Sequence, residues 1–306
     1  MSHYRQTRQA LDRHRLAPKK QFGQNFLVNP HTAEAIVEAG QITAKDIVVE
    51  IGVGLGALTR PLAARCARVI GLEIDSGIIR FHQEEDDLPG NITLLHCDVL
   101  KTDFQDLAAQ CGGQLKIIAN LPYSISNPFI FKLIDNRNWV VEATIMLQKE
   151  VAERLMAAPR TKEYGVPSVL LQCCAQIKKL MTLKPAEFHP RPKIDSVVIG
   201  IAFQPPSAEI AALANDPLFS FEQFRKIVRI AFNQRRKTLL NTLSGMQFFA
   251  DSDQQNPAAT NKALTAEAIE AAGLSPSLRP ETLTVSDFQR LAIAFTRRRE
   301  ENNRIS

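Results

Sequence analysis

The sequence predicts a doubly wound α/β fold with a mainly parallel sheet, followed by a smaller all-helical C-terminal domain. Five short apolar runs rich in β-branched residues alternate with helical patterns, which is the arrangement of a parallel sheet with crossover helices. The first run ends in three alternate glycines before a helical pattern begins. Beyond Gln204-Pro205-Pro206 the patterns are all helical, so a second domain begins there.

Composition limits the possible classes of protein. At 306 residues the chain has room for two domains, and its formal net charge of +5 favours an anionic partner such as nucleic acid. Basicity alone also fits many enzymes that bind no polymer. Five cysteines without a C-x-x-C pair indicate reduced thiols in a cytoplasmic protein. The histidines and cysteines lack metal-ligand spacing, and apolar runs stay well below the ~20 residues of a membrane helix. We therefore expect no metal and no membrane, and we expect a monomer.

The chain divides into three predicted parts. Residues 1–20 carry six basic side chains against one acid, which fits either a solvated tail or an arm that contacts phosphates. Residues 21–206 form the α/β domain and begin with Q-F-G-Q-N-F-L, a polar stretch with two phenylalanines that could lie over a ligand as a lid. Residues 207–306 form the helical domain.

The first strand covers the run around Val48 to Ile51, and it suits burial on both faces. Gly52, Gly54 and Gly56 then allow a tight turn and the close approach of a ligand. Further strands are predicted at 68–74, 91–97, 115–119 and 141–147, and two late strands at 179–184 and 196–203 can pair antiparallel at one edge.

Helical spacing covers several segments between and after these strands. The first, 30–40, ends at Gly40, which suits the position after a helix, and Ser76 can cap another that runs to about residue 87. The others in the α/β domain are 126–135, 149–158 and 166–176. In the C-terminal domain they are 208–214, 221–232, 236–243, 266–272 and 285–295, and we expect the last residues, 297–304, to be frayed.

Four polar or glycine residues stand at the carboxyl ends of four successive predicted strands: Gly52, Glu73, Asp98 and Asn120. The carboxyl ends of parallel strands lie at one edge of a sheet, so we expect these residues to converge on one cleft. Glu73 stands 21 residues after Gly52, where an acid binds the ribose hydroxyls of a nucleoside, and Asp98 can meet an adenine amino group.

The glycine pattern G-x-G-x-G is a weak discriminator and also occurs in purely structural turns. The loop contains no basic residue, and two carboxylates lie close by in the predicted cleft. These features suit a ligand without a pyrophosphate and with positive charge, such as S-adenosylmethionine. A P-loop is excluded because G-K-[ST] is missing.

The sharpest chemical signal is N-L-P-Y, formed by Asn120, Leu121, Pro122 and Tyr123. The exocyclic amine of adenine is a poor nucleophile, because its lone pair is delocalised into the ring. Acceptors such as the Asn120 side-chain oxygen and the Leu121 carbonyl can hold the amino hydrogens while the nitrogen attacks a methyl group. Pro122 would stiffen the turn, and Tyr123 would stack on the base. The alternative is an ordinary strand-to-helix turn with a core tyrosine.

Two further segments suggest contacts with nucleic acid. In F-H-P-R-P-K, two prolines would fix an exposed loop, with Phe188 free to stack on a flipped base and with Arg191 and Lys193 near phosphates. The alternative is a rigid turn with a buried phenylalanine. In the helical domain a basic cluster favours a phosphate-binding surface over a merely solvated face. Its members are Arg225, Lys226, Arg229, Arg235, Arg236 and Lys237.

Together these motifs resemble the ribosomal RNA adenine dimethyltransferase family, and its bacterial small-subunit members most of all. Q-F-G-Q-N-F-L, E-I-G-x-G-x-G-x-L-T, L-E-I-D, N-L-P-Y and F-x-P-x-P-K-I-D-S-V-V occur in order along nearly the whole chain. The resemblance implies a Rossmann-like methyltransferase domain and a helical domain that binds RNA or the ribosome. It also implies transfer of four methyl groups from S-adenosylmethionine to N6 of two adjacent adenosines. These lie in the 3′-terminal hairpin loop of small-subunit RNA, and the particle modified is the immature small subunit.

The resemblance also implies roles for particular residues. Cofactor contacts fall on Asn25, Leu27, Gly52, Glu73, Asp98 and Asn120. The glycine pattern itself adds Gly54 and Gly56 to the predicted cofactor-binding residues. The catalytic motif falls on Asn120, Leu121, Pro122 and Tyr123, and the base-stacking aromatic on Phe188. Val53 stands where the family often has proline. A valine at this position still permits the glycine loop. Three other functions share these features: methylation of large-subunit RNA with antibiotic resistance, an assembly checkpoint that binds small subunits, and methylation of adenine in DNA.

Overall fold

The structure is a computed structural model that describes residues 9, 11, 13, 14, 24–246, 248, 249 and 257–305. The chain separates into two compact units. The first contains the described residues up to Glu153 together with Gln176–Gln204, and the second contains Arg154–Ala175 with the described residues from Pro205 onward. Most of the predicted arm at 1–20, and residues 21–23 of the predicted lid, lie outside the described residues.

A seven-stranded sheet forms the first unit, in the order β4-β3-β2-β5-β6-β9-β7. The first five strands in this order are mutually parallel, and β9 runs antiparallel between β6 and β7. This confirms the predicted α/β class and the antiparallel pairing of the two late strands. The strands are β2 (Ile47–Ile51), β3 (Arg68–Glu73), β4 (Ile92–His96), β5 (Leu115–Asn120), β6 (Val140–Gln148), β7 (Gln176–Leu183) and β9 (Ser196–Ala202).

Strand β2 lies at the point where the strand order reverses. Its neighbours are β3 on one side and β5 on the other, because the chain runs outward through β3 and β4 and then returns. Val48, Val49 and Ile51 are buried, as expected for a strand covered on both faces. In such a sheet a ligand binds outside the carboxyl ends of the strands at this switch point.

The helices of the first unit cover the sheet. They are α1 (Pro30–Ala39), α2 (Thr59–Ala63), α3 (Ser76–Glu85), α4 (Phe104–Gln110), α5 (Ser126–Asp135) and α6 (Lys149–Leu155), which continues into the second unit. Ile36 and Val37 of α1 and Leu62 of α2 share one core cluster with Val48 and Val69 of the sheet. Burial of these aliphatic side chains fixes the helix that follows the glycine loop.

Two helix-end predictions were wrong. The N-cap of α3 is Asp75, whose Oδ1 accepts a hydrogen bond from Gly77 N at 2.9 Å, and Ser76 is the first helical residue. Gly40 directly follows α1, but it is the C-cap residue, with φ −73°, and the left-handed C′ position predicted for it falls on Gln41. A Cβ on Gly40 would lie 3.0 Å from Ile118 Cδ1, so the glycine serves close packing against the sheet.

A two-stranded sheet joins distant parts of the first unit. β1 (Phe26–Leu27) pairs antiparallel with β8 (Phe188–His189), and Val28 N donates to Glu187 O at 2.9 Å. The pair therefore brings the end of Q-F-G-Q-N-F-L to the start of F-H-P-R-P-K.

Among the described residues of the second unit, six α-helices pack together: α7 (Val166–Gln172), α8 (Ala208–Ala214), α9 (Phe221–Asn233), α10 (Leu239–Leu243), α11 (Pro257–Ala271) and α12 (Val285–Ile305). Helix α9 packs on α12 and α7, burying Phe224, Ile227 and Val228. Helix α7, which the sequence grouped with the sheet, belongs to this unit. The expectation of a frayed end at 297–304 was wrong, because α12 continues to Ile305 and Arg298 pairs with Glu267 and Glu301.

Candidate active site

A cleft opens at the carboxyl ends of β2 to β5. Gly52, Glu73, Asp98 and Asn120, which follow or end these strands, all line it. The structure therefore brings together the four residues that the strand-end rule grouped. Apolar side chains form much of the remaining wall: Phe26, Leu72, Ile78, Val99, Leu121 and Pro122. A slot with apolar walls and a few polar groups suits a nucleoside.

Glu73 holds the turn around the cleft. Its Oε1 accepts hydrogen bonds from Ile74 N at 2.8 Å and Asp75 N at 2.9 Å, and its Oε2 accepts one from Gly54 N at 3.1 Å. Burial raises the pKa of this carboxyl, and the three backbone hydrogen bonds partly offset the rise. An ionised carboxylate has about four lone-pair sites, so Glu73 retains capacity for a ligand hydroxyl.

The glycine loop adopts left-handed conformations at its three glycines, with φ of +77° at Gly52, +53° at Gly54 and +77° at Gly56. A Cβ would lie 3.5 Å from Asn120 O at Gly52 and 3.2 Å from the Phe26 ring at Gly54. A side chain at either position would therefore project toward a residue that lines the cleft, in ordinary contact at Gly52 and in tight contact at Gly54. Gly56 faces a different groove, where a Cβ would approach Arg60 Nη1 to 2.7 Å.

Asn120 is oriented by the N-terminal stretch. Its Nδ2 donates to the backbone oxygen of Asn25 at 3.2 Å, and both residues line the cleft. Because the amide nitrogen is used in this way, Oδ1 is the atom that remains as an acceptor. Gln24 is tied down in the same way by a bond from its Nε2 to Asp75 Oδ2 at 3.1 Å.

The loop after Asn120 turns sharply into α5. Leu121 is buried, and Pro122 is extended, with φ −54° and ψ 133°, and accepts a hydrogen bond from Ile125 N. Tyr123 does not line the cleft, although the next two residues do. Its hydroxyl lies 2.9 Å from the Oγ of buried Ser196, and burial raises the pKa of the phenol. This geometry matches a tyrosine anchored to β9.

Asp98 closes the cleft on the side of β4. Its Oδ1 accepts a hydrogen bond from Leu100 N at 2.9 Å, and its backbone oxygen accepts from Lys101 N and Thr102 N. The carboxylate is half-buried beside the apolar wall. It is therefore fixed at the edge of the slot by its own turn.

Two residues that the sequence predicts to contact a ligand, Leu27 and Phe188, have their side chains buried in the core. Phe188 is only 1% exposed and shares a cluster with Leu27, Leu183 and Val198. The expectation of an exposed loop with a free Phe188 ring was wrong, because pairing of β8 with β1 turns the ring inward. Leu27 is buried in the same cluster, while Arg191 and Lys193 are exposed.

Sequence reasoning missed Glu50, the acid inside the apolar run V-V-E-I. The residue is 1% exposed, and it borders a small cavity beneath Gly52 and Asn120. Neither carboxyl oxygen has a hydrogen-bond partner among the described residues; Thr59 is near enough to offset part of the desolvation without meeting hydrogen-bond geometry. Burial, reinforced by the charge of Glu73, raises the pKa of Glu50 to about 8. The only signal in the sequence was a charged residue within a buried strand pattern.

The basic cluster of the second unit divides into anchored and exposed members. Arg235 Nε donates to Glu281 Oε2 at 2.7 Å, and its guanidinium also reaches the backbone oxygens of Thr161 and Lys162. It therefore ties segments of this unit together. Arg225 is half-buried, with its guanidinium 5.4 Å from the Phe221 ring centroid. The exposed members are Lys226, Arg229, Arg236 and Lys237.

This sheet order and the acid-lined cleft at the switch point define a Rossmann-like methyltransferase. Residues 15–270 match the model of the family described as ribosomal RNA adenine dimethylase. The chain belongs to that family of ribosomal RNA adenine dimethyltransferases, which implies a methyl donor of the S-adenosylmethionine type.

Individual relatives agree over most of the chain. The Ribosomal RNA small subunit methyltransferase A of Desulfotalea psychrophila is 59% identical over 296 residues, which are 96% of this chain and 97% of the relative. The crystal structure of a dimethyladenosine transferase from Plasmodium falciparum has a TM-score of 0.71 and 27% identity, covering 89% of this chain and 98% of that one. The 23S rRNA methyltransferase ErmE shares the fold, with a TM-score of 0.60 and 20% identity over 89% of this chain and 99% of its own.

Within the described ranges, we find no helix that is long and apolar enough to cross a membrane. The same residues contain no group of three or more His, Cys, Asp or Glu arranged to hold a metal ion.

Proposed function

We propose that this protein uses S-adenosylmethionine to dimethylate N6 of two adjacent adenosines in the 3′-terminal hairpin loop of small-subunit ribosomal RNA, during ribosome assembly. The observation that carries the proposal is the orientation of Asn120, whose amide nitrogen is held by Asn25 O beside the cleft. The relative from Desulfotalea psychrophila, named for the small subunit, supports the choice of RNA.

The residues of the cleft fit this cofactor. Glu73 has acceptor capacity left for ribose hydroxyls, and Asp98 lies by the apolar slot that suits an adenine ring. Gly52 and Gly54 lack the side chains that would narrow the cleft. The carboxylates give it a potential that favours a cation. When bound, the cofactor supplies a methyl group on a positively charged sulfur.

The catalytic work of the chain is then to prepare the amine of the target adenine. Asn120 Oδ1 and the Leu121 carbonyl accept its two hydrogens, so that the nitrogen becomes pyramidal and its lone pair points at the methyl group. The extended Pro122 fixes the spacing of these acceptors. Tyr123 is a poor base because its phenol is bonded to Ser196 and has a raised pKa. The methylated ammonium product then loses its proton to water.

We assign the RNA contacts to exposed lysine and arginine side chains. On the first unit these are Arg191 and Lys193, and on the second they are Lys226, Arg229, Arg236 and Lys237. Clusters of this kind bind phosphates and release counterions. The substrate particle in this proposal is the immature small subunit, the protein acts as a monomer, and the compartment is the cytoplasm.

Mass mapping of both ribosomal RNAs from a strain that lacks the gene tests this function. We expect both dimethyladenosines to disappear from small-subunit RNA and the wild-type gene to restore them. Loss of methylation only in large-subunit RNA would sink the proposal. A Glu73→Ala protein that binds small subunits without transferring methyl groups would separate a checkpoint role from catalysis.

A further inference from the structure

Two side chains, His82 and Arg60, contact three consecutive backbone oxygens of the glycine loop. The Gly54 oxygen lies 2.8 Å from His82 Nε2. The Leu55 and Gly56 oxygens accept hydrogen bonds from Arg60 Nη1 at 2.9 and 3.1 Å. Gly56 must be glycine for Arg60 to come this close.

Both side chains converge on one carboxylate. Asp87 Oδ1 lies 2.8 Å from His82 Nδ1, and Arg60 Nη2 donates to Asp87 Oδ2. We call His82, Arg60 and Asp87 the loop clamp. The His82 side chain at the centre of the clamp is almost inaccessible to solvent, with 1% of its surface exposed.

The partners of His82 fix its charge. A backbone carbonyl can only accept a hydrogen bond, so Nε2 must carry a proton. Asp87 also binds the Arg60 guanidinium, and a carboxylate in an ion pair only accepts hydrogen bonds, so its contact with Nδ1 requires a proton on that nitrogen as well. An imidazole with protons on both nitrogens is a cation. A neutral ring would set a lone pair against one of the two acceptors in a buried site.

The loop clamp holds Gly54, whose N–H also contacts Glu73 in the cleft. Gly54 donates its N–H to Glu73 Oε2 at 3.1 Å while His82 holds its carbonyl. Other titratable groups in this region are Glu50 in β2, whose pKa burial raises to about 8, and Glu84 and Glu85 on α3, which pair with His14. The His14 ring also packs edge-on against Phe81, the neighbour of His82.

We propose that His82, as an imidazolium held by Asp87, is a positioning residue that keeps the glycine loop in its cofactor-binding conformation. Arg60 shares this role at the next two carbonyls. The inference rests on the proposed function for the identity of the cofactor. A loop held in its bound conformation loses less entropy on binding, so the clamp raises affinity without touching the reacting atoms.

The charge of His82 can be measured directly in the full-length protein. With ¹⁵N-labelled histidine, in the buffer used for the binding measurements, we expect each ring nitrogen of His82 to carry a proton, assigned by the signals that vanish in His82→Gln. A ring with one bare nitrogen under those conditions would overturn the proposal. This readout needs no cofactor, so it stands even if the protein fails to bind S-adenosylhomocysteine, a failure that would instead count against the proposed function.

Calorimetry with S-adenosylhomocysteine tests the positioning role. His82→Leu removes the donor to Gly54, so we expect Kd to rise about 10-fold, with KM for S-adenosylmethionine raised and kcat at saturation within about 2-fold. His82→Gln places an uncharged donor near the position of Nε2, and we expect it to recover most of the affinity. His31→Leu, at an exposed position on α1, is the matched control and should change nothing.

A folded His82→Leu protein with wild-type affinity would contradict the proposal, and so would a fall in kcat with KM unchanged. If His82→Leu does not fold, Asp87→Asn provides the same test, because it keeps the size of the side chain while removing the charge that pairs with His82 and Arg60. We then expect weaker binding of S-adenosylhomocysteine, and unchanged binding would refute the clamp.

Discussion

At the scale of single residues, the chemistry of the site depends on which end of the Asn120 side-chain amide faces the cleft. One hydrogen bond, from Nδ2 to Asn25 O, decides which end of the amide faces the cleft. An amide turned the other way would present a donor to an amine that needs acceptors. The stretch before β1 therefore sets the chemistry of a residue 95 positions later.

Asn120→Ala tests this role. Removing an acceptor that acts mainly in the transition state should lower the rate of methyl transfer about 100- to 1,000-fold, while S-adenosylhomocysteine affinity stays within about 3-fold. Single-turnover transfer of a radiolabelled methyl group measures the first quantity, and calorimetry the second. Asn136→Ala, at the end of α5, is a control that should keep full activity. An active Asn120→Ala enzyme would refute the acceptor role.

Glu50 gives a prediction about stability and pH. Burial raises its pKa from 4.5 to about 8, so between these values the unfolded chain has lost a proton that the folded protein keeps. Stability is therefore lost as pH rises through this window. Glu50→Gln carries no such proton and should raise the free energy of unfolding by on the order of 3 kcal/mol at about pH 7, with little gain at about pH 4.

Denaturant unfolding of the cofactor-free protein across this pH range measures the effect of Glu50→Gln. The exposed Glu38→Gln serves as the control and should leave the stability curve unchanged. A pH-independent difference between wild type and Glu50→Gln would mean that Glu50 titrates alike in the folded and unfolded protein, which would contradict the raised pKa.

At the scale of elements, the short β1–β8 pair explains why Phe188 differs from its expected place. Two-residue strands give no periodicity to read, and their pairing joins segments about 160 residues apart. The sequence showed two prolines and an aromatic, which fit an exposed loop as well as a buried turn. The structure buries the ring among aliphatic residues of the first unit.

Phe188→Ala should therefore behave as a core truncation. We expect the free energy of unfolding to fall by about 3–5 kcal/mol, because the ring leaves a cavity in the cluster. Phe188→Leu keeps most of the volume and should cost about 1 kcal/mol. Chemical denaturation measures both variants. A loss below about 1 kcal/mol for Phe188→Ala would indicate a ring that spends its time outside the core.

Elements with strong hydrophobic periodicity could be predicted from the sequence. The positions of residues at the ends of those elements could be predicted as well. The strands, and the convergence of Gly52, Glu73, Asp98 and Asn120, follow from buried runs and the strand-end rule. The bond of Tyr123 to Ser196 and the loop clamp depend on contacts between distant segments, which local patterns do not encode. The continuation of α12 was missed because a polar, charged sequence is also typical of a frayed end. The ion pairs of Arg298 with Glu267 and Glu301 depend on the folded structure, and the sequence alone does not indicate them.

At the scale of the whole molecule, the excess of basic residues becomes meaningful once anchored and exposed members are separated. Arg235 is committed to Glu281 and two backbone oxygens, so reversing its charge would damage the second unit. Arg229, Arg236 and Lys237 are exposed and can be changed at less structural cost. The net charge of +5 alone made no such distinction.

Reversal of Arg229, Arg236 and Lys237 to glutamate should weaken binding to small subunits and flatten its salt dependence. Each lost phosphate contact lowers the slope of log K against log salt by about 0.7–0.9, so three contacts would remove about 2 from its magnitude. Filter binding at several salt concentrations measures the slope. Reversal of exposed Lys45, Lys178 and Lys179 on the first unit controls for net charge alone. An equal effect of both triples would remove the special role of the second unit.

Methylation of purified, unmethylated small subunits in vitro tests the central claim most directly. With S-adenosylmethionine and this protein, mass analysis of the small-subunit RNA should show two adjacent N6,N6-dimethyladenosines in the 3′-terminal hairpin loop, and large-subunit RNA should stay unchanged. Methyl groups found only in large-subunit RNA, or no transfer to any small-subunit particle by a protein that binds the cofactor, would contradict the account.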